Sequence, residues 1–204
     1  MSKMKFYSIR KEVLKYARRM VEDKLAVFSE GNVSARISES LMAITPSGVS
    51  YDELKPEDIV VVDFDGNVVE GSRKPSIEHK MHALIYKQRN DVGAVVHTHS
   101  IYASALASLG EEIPAILDEV HIFLGGSVEV AEYGPPGSMQ LAENVVKKLK
   151  EKKAVLLRNH GVVACGSDLK EAYNIALIVE KVAKVYVLAR AVGKPRIVPR
   201  DALK

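Results

Sequence analysis

The sequence predicts an α/β fold of the α+β-like kind: one domain with a central mixed, mostly antiparallel β-sheet flanked by helices. Three observations carry this. Short alternating apolar segments recur between residues 32 and 69, and two of them meet at Asp65-Gly66, a dipeptide suited to a tight hairpin. Five other stretches carry apolar residues at helical spacing. Strands and helices do not alternate in the regular β-α-β order that a parallel sheet needs.

Val13, Leu14, Ala17, Met20, Val21 and Leu25 line one face of a helix predicted over residues 8–25, with charges between them. Alternation predicts strands over 32–37, 41–44, 59–64 and 67–69. Ser76 is placed to cap a helix over 77–90, because its hydroxyl can accept from an unpaired first-turn N–H. Residues 93–97 read as a buried strand, 101–109 as a short helix and 127–132 as another strand. Gly134-Pro135-Pro136-Gly137 forces a turn before a helix over 138–150. A strand pair over 154–158 and 162–164 precedes the last helix, capped by Ser167 or Asp168 and running to residue 191. No repeat, low-complexity tract or flexible linker divides the chain, so residues 1–204 read as a single domain.

Composition excludes several classes of function. Of 204 residues, 47% are apolar and 27% charged, as in an ordinary soluble globular protein. The net charge is only +3, and the basic residues mix with acids, as over 147–153. A nucleic-acid binder shows a concentrated basic stripe with interleaved aromatics instead. No apolar run approaches the ~18 residues of a membrane span. Residues 1–13 lack the apolar core of a signal peptide. The one cysteine, Cys165, excludes an internal disulfide framework and fits a reducing compartment. The expectation is a cytoplasmic protein with neither nucleic-acid nor membrane partners.

Three histidines fall at predicted strand ends. His97 and His99 flank Thr98, and alternate strand residues point the same way, so both imidazoles can converge on one ion. His160 ends a second apolar strand and precedes Gly161. Three imidazoles with no cysteine suit a catalytic rather than a structural zinc site, because a coordination position stays open. Ordinary packed histidines read equally well on spacing alone, since nothing in the sequence alone brings His160 to the other two. Glu78 lies at a loop-to-helix junction, where a carboxylate gains from the helix dipole. Capping therefore explains it, and so does an acid/base role in which burial raises its pKa. His82 shares its helix face, and for both His82 and His79 packing or a supporting hydrogen bond is the expectation. Ser29-Glu30-Gly31-Asn32, Thr45-Pro46-Ser47-Gly48 and Lys74-Pro75-Ser76 offer hydroxyls, a carboxamide and glycine-adjacent N–H groups for an anion, or are simply turns.

Order along the chain adds weight to these pieces. The series GNVSAR, ITPSG, KPSIE, HTHS and RNHG resembles the class II aldolase/adducin-head family, from about residue 8 to about residue 192. The resemblance implies the three-layer αβα fold of that family, with zinc held by His97, His99 and His160. It makes Glu78 the catalytic acid/base and puts phosphate contacts at Ser29, Asn32, Ser47, Gly48 and Ser76. The implied activity is a lyase that cleaves a ketose 1-phosphate to dihydroxyacetone phosphate and an aldehyde. L-Fuculose 1-phosphate, giving L-lactaldehyde, is the leading substrate, and no cofactor beyond the metal is expected. A fourfold homotetramer with sites at subunit interfaces is implied as well.

The sequence departs from the aldolase pattern in three places. Ile77 stands where a second serine is usual, Asp118 aligns with an active-site tyrosine, and no C-terminal tyrosine precedes Lys204. Tyr133, Asp118, Glu119 and His121 are the candidates for handling the C4 oxygen. Three alternatives share the scaffold. A ketopentose-phosphate 4-epimerase carries aspartate at the position of Glu78 and another where Ile122 aligns. A methylthioribulose-1-phosphate dehydratase keeps three histidines and a glutamate, whereas an adducin-like binding head lacks the metal constellation.

Overall fold

The computed structural model describes residues 6–203; residues 1–5 of the stretch read as too polar for a leader, and Lys204, lie outside them. Among the described residues, eight strands form one sheet: β1 (Asn32–Arg36), β2 (Leu41–Ile44), β3 (Val60–Asp63), β4 (Val68–Glu70), β5 (Ala94–Thr98), β6 (Val130–Ala131), β7 (Ala154–Leu157) and β8 (Gly161–Gly166). Their order is β4-β3-β2-β1-β5-β8-β7-β6, and only β6 and β7 run parallel. The sheet is therefore mixed and mostly antiparallel, as predicted.

Helices α1 (Tyr7–Glu22), α2 (His79–Gln88), α3 (Ile101–Leu109), α4 (Asp118–Leu124), α5 (Met139–Leu149) and α6 (Leu169–Val192) complete the fold. Alternation along the strands sorts the core into two clusters. Val33, Ala94, Val96, Leu156 and Val162 pack with α1, α3 and α6 on one face, while Met42, Val95, Val155, Val163 and Cys165 pack with α2 and α5 on the other. Strands β5, β7 and β8 are buried on both faces, so apart from His97 and Thr98 at the end of β5 their run is apolar rather than alternating. Each fully buried Val or Leu there contributes about 1.5–3 kcal/mol. No helix among the described residues is long and apolar enough to cross a membrane.

Several local expectations are corrected. Ser76 does not cap a helix: its hydroxyl accepts from Glu78 N (3.2 Å) inside a turn, and α2 starts only at His79. The strand predicted over 127–132 is paired with β7 only at Val130–Ala131, because Val128 turns aside to bridge Ile113. α1 stops at Glu22, where Lys24 adopts a left-handed conformation. α4 is absent from the sequence-based expectation, since seven residues carry too little periodicity to register. Ser138 and Asp168 do cap α5 and α6, accepting from Leu141 N (3.1 Å) and Glu171 N (2.7 Å).

Candidate metal centre and cleft

β5 carries His97 as its fourth residue, and β8 pairs with it in the register His97–Val163 and Thr98–Val162. That register decides where His160 goes. Arg158, Asn159 and His160 form the loop between β7 and β8, closed by the Leu157–Gly161 pair. Gly161 then lies over the end of β5: an added Cβ would meet Thr98 O at 2.3 Å and His99 Cδ2 at 3.0 Å. Only glycine allows this approach.

The three imidazoles stand with ring centroids 4.8–5.0 Å apart. One ring nitrogen from each lies within 4.8 Å of the others. His97 Nδ1–H donates to Val162 O (3.0 Å), which leaves its Nε2 lone pair facing His99 Nε2, 3.0 Å away. Two nitrogens on one tetrahedral zinc stand about 3.3 Å apart, so the donor set fits such an ion. Burial and the neighbouring His160 and His99 hold His97 well below the ordinary imidazole range. His160 is pushed down to about 4 by burial and His99, and burial also lowers His99 against the opposing pull of Glu30. Each of these shifts favours the neutral ring, the form that binds a metal.

Glu78 is only 3% exposed. Although it occupies the N-cap position of α2, its side chain makes no capping bond. Instead Oε1 accepts from Gly137 N (3.0 Å), and Oε2 is buried with no partner. Burial raises its pKa and the Gly137 N–H acts against that rise. The side chain is therefore not a cap of α2, and burial favours its protonated form.

A cleft of about 370 Å³ joins these groups to the predicted anion turns: Ser29, Asn32, Ser47, Gly48 and Ser76 line it together with Glu78, His97, His99 and His160. Two wider grooves, about 770 Å³ along α1 and about 710 Å³ beside α4 and α6, hold none of these residues. Backbone pairing explains the convergence. Ser47 N donates to Lys74 O and Ser76 N to Thr45 O, both at 3.0 Å, so the second and third turns form one wall. Asn32 pairs with His97 across β1 and β5, which sets the first turn beside the histidines. Asn32 Oδ1 and His160 Nδ1 are also buried without protein partners, so the cleft presents unsatisfied polar atoms to a ligand.

Sequence reasoning missed two contributors, Gly137 and Glu30. Glu30 Oε2 lies 3.8 Å from His99 Nδ1. Neither position carries a local signal beyond belonging to a turn. His82 does not line the cleft and, as expected, makes a supporting hydrogen bond: its Nδ1 lies 2.7 Å from Ser34 Oγ. The four candidates for the C4 oxygen do not line the cleft. His121 Nε2–H donates to Val198 O (2.9 Å), Glu119 pairs with Lys181, Asp118 begins α4, and Tyr133 is half exposed.

Residues 11–187 match the family described as Class II Aldolase and Adducin N-terminal domain. The chain is 40% identical over 196 residues to a 5-deoxy-D-ribulose 1-phosphate aldolase of Bacillus thuringiensis serovar kurstaki, covering 96% of this chain and 92% of the relative. It is 37% identical to an L-fuculose phosphate aldolase of Methanocaldococcus jannaschii, covering 91% and 99%. Among solved structures, an L-fuculose 1-phosphate aldolase superposes with a TM-score of 0.94 at 42% identity, covering 99% of this chain and 95% of that one. The chain belongs to the class II aldolase/adducin family, on its aldolase side, and is a lyase.

Proposed function

We propose that the protein is a zinc aldolase that cleaves a ketose 1-phosphate to dihydroxyacetone phosphate and an aldehyde. L-Fuculose 1-phosphate is the leading substrate. The observation that carries the reading is one cleft lined by three converging imidazoles, a buried glutamate with an unpartnered oxygen, and three hydroxyl- or amide-bearing turns. A second substrate, 5-deoxyribulose 1-phosphate, is favoured by the 40% identity to the Bacillus thuringiensis relative.

His97, His99 and His160 would hold the ion, which when bound supplies Lewis-acid stabilisation of negative charge beside the breaking C3–C4 bond. Ser29, Asn32, Ser47, Gly48 and Ser76 hold the phosphate and so orient the carbon chain, converting binding energy into alignment. Glu78 delivers a proton to C3 of the dihydroxyacetone phosphate half and removes it in the reverse direction. Its unpartnered Oε2 is the atom free to do so. Gly137 N–H fixes the other oxygen.

A homotetramer belongs to the same proposal. Phe28, 73% exposed next to Ser29, and Ile77, 56% exposed on the cleft wall, support a neighbouring copy closing the site. Sedimentation as a monomer would remove that part. The lone buried thiol of Cys165 supports a cytoplasmic setting.

The test is dihydroxyacetone phosphate release from both ketose phosphates by zinc-loaded and chelated protein. Release that vanishes on chelation and returns with zinc is expected. Glu78→Gln should keep zinc and lose about 10²–10⁴ in turnover, the range for a lost acid/base group. Full activity in that variant removes Glu78 from the chemistry. Loss of water from methylthioribulose 1-phosphate without dihydroxyacetone phosphate would transfer the site to the dehydratase reading.

A further inference from the structure

Of the three histidines, His99 has the least support from the sheet. His97 sits inside the β1–β5–β8 ladder, and His160 is closed within the β7–β8 loop, where its N–H donates to Leu157 O (3.0 Å). His99 lies one residue past the end of β5, with its N–H donating to Leu25 O (3.0 Å) on one side and α3 beginning two residues later on the other. The start of α3 is therefore what holds the backbone of this residue on its second flank.

That start is fixed in an unusual way. Ser100 occupies the N-cap position, where a serine hydroxyl normally accepts from the second or third helical N–H. Here it makes no such bond, and its Oγ is buried without a partner. Both N–H groups go elsewhere. Tyr102 N donates to Glu180 Oε1 and Ala103 N to Glu180 Oε2, each at 3.0 Å. The carboxylate comes from the middle of α6, 77–78 residues away in sequence. In sequence it is merely one of the charges that interrupt an apolar helix. A two-pronged carboxylate at a helix N-terminus gains from both hydrogen bonds and the dipole.

We infer that Glu180 is a positioning residue of the metal centre: by gripping the first turn of α3 it holds His99 in register with His97 and His160. This rests on the reading that the three histidines bind a metal. Glu180 touches neither the cleft nor the ligands, so it acts only through the backbone from Tyr102 back to His99. Glutamine at this position keeps the shape, offers one accepting oxygen instead of two, and removes the charge. Ser100 can then rotate to accept from Ala103 N, so Glu180→Gln combined with Ser100→Ala is the stronger lesion.

The readout is zinc and cobalt affinity by chelator competition, well below the melting temperature. Glu180→Gln should bind about tenfold more weakly, in the range seen when support behind a metal ligand is lost. The added Ser100→Ala should weaken it further, while Ser100→Ala alone leaves it unchanged. Asp168→Ala removes a different helix cap, so it should lower the melting temperature without changing metal affinity. Unchanged affinity in Glu180→Gln, or an equal loss in Asp168→Ala, overturns the inference. A wild-type protein that binds neither ion overturns the metal reading instead, so the two failures are distinguishable. Should the Glu180 variants not fold, amide exchange of Tyr102 and Ala103 in the wild type decides. Binding and clamping are reciprocally linked, so zinc should raise protection of both amides, and equal protection with and without zinc overturns the inference.

Discussion

Glu78 shows how one residue's chemistry depends on a single backbone donor. Its carboxyl is buried, which penalises the charged form, and Gly137 N–H is the group that favours that form. Gly137 adopts φ +74, and an added Cβ would meet Ile77 O at 3.0 Å. Gly137→Ala therefore strains a left-handed position, at about 1–2 kcal/mol, and pushes the N–H off the carboxylate. With its donor displaced, Glu78 should hold its proton to higher pH. The acidic limb of the kcat/KM profile for aldol condensation, the direction in which Glu78 must be ionised to remove the C3 proton, is expected to move up, with zinc content unchanged. A limb that stays put would mean that Gly137 does not tune the group. A glutamate near a helix start is legible in the sequence, but its partner is not. The donor lies 59 residues away, in a turn recognisable only as a turn.

At the scale of elements, α2 is pinned to β1 by polar contacts under the cleft. Ser34 Oγ lies 2.7 Å from both His82 Nδ1 and Tyr86 Oη, and Arg36 donates to the carbonyls of Tyr86, Arg89 and Val92. His82 is fully buried, and burial, with His79 adding to it, depresses its pKa to about 3. An unfolded histidine titrates near 6.5, so as pH falls below that value the unfolded chain takes up a proton that the folded chain refuses. Stability from this group is therefore full above pH 6.5 and lost progressively toward pH 3, at up to about 1.4 kcal/mol per unit. His82→Asn removes this loss. Urea unfolding of both proteins at pH 6, 5 and 4 should show the wild-type advantage shrinking at about that rate; a constant difference would show that His82 protonates equally in both states. Local periodicity makes most of these elements legible from the residues alone. The β5–β8 register is not legible that way, because it is a pairing between residues 94–98 and 162–166 that no local pattern encodes. Without it, His160 cannot be joined to His97 and His99.

For the whole molecule, the three histidines tie together the centre of the sheet. His97 belongs to β5, His99 leads into α3, and His160 closes β7 onto β8, so an ion held by all three links elements that meet only in the folded state. Such an ion stabilises the fold by mass action, about 2.7 kcal/mol when free zinc is 100 times its Kd. A domain of roughly 150–250 residues gains about 2–4 °C per kcal/mol, so zinc should raise the melting temperature by roughly 5–10 °C over chelated protein. The same comparison in His160→Ala should give a much smaller shift, because two of the three imidazoles remain but the ion no longer bridges the β7–β8 loop to β5. Magnesium at equal concentration should give little, since neutral imidazoles suit zinc and its neighbours and magnesium prefers oxygen. Equal melting temperatures with and without zinc would mean that the cluster holds no ion in the native state. The close approach of the three rings would then be packing alone, and the Lewis acid would have to leave the proposed reaction.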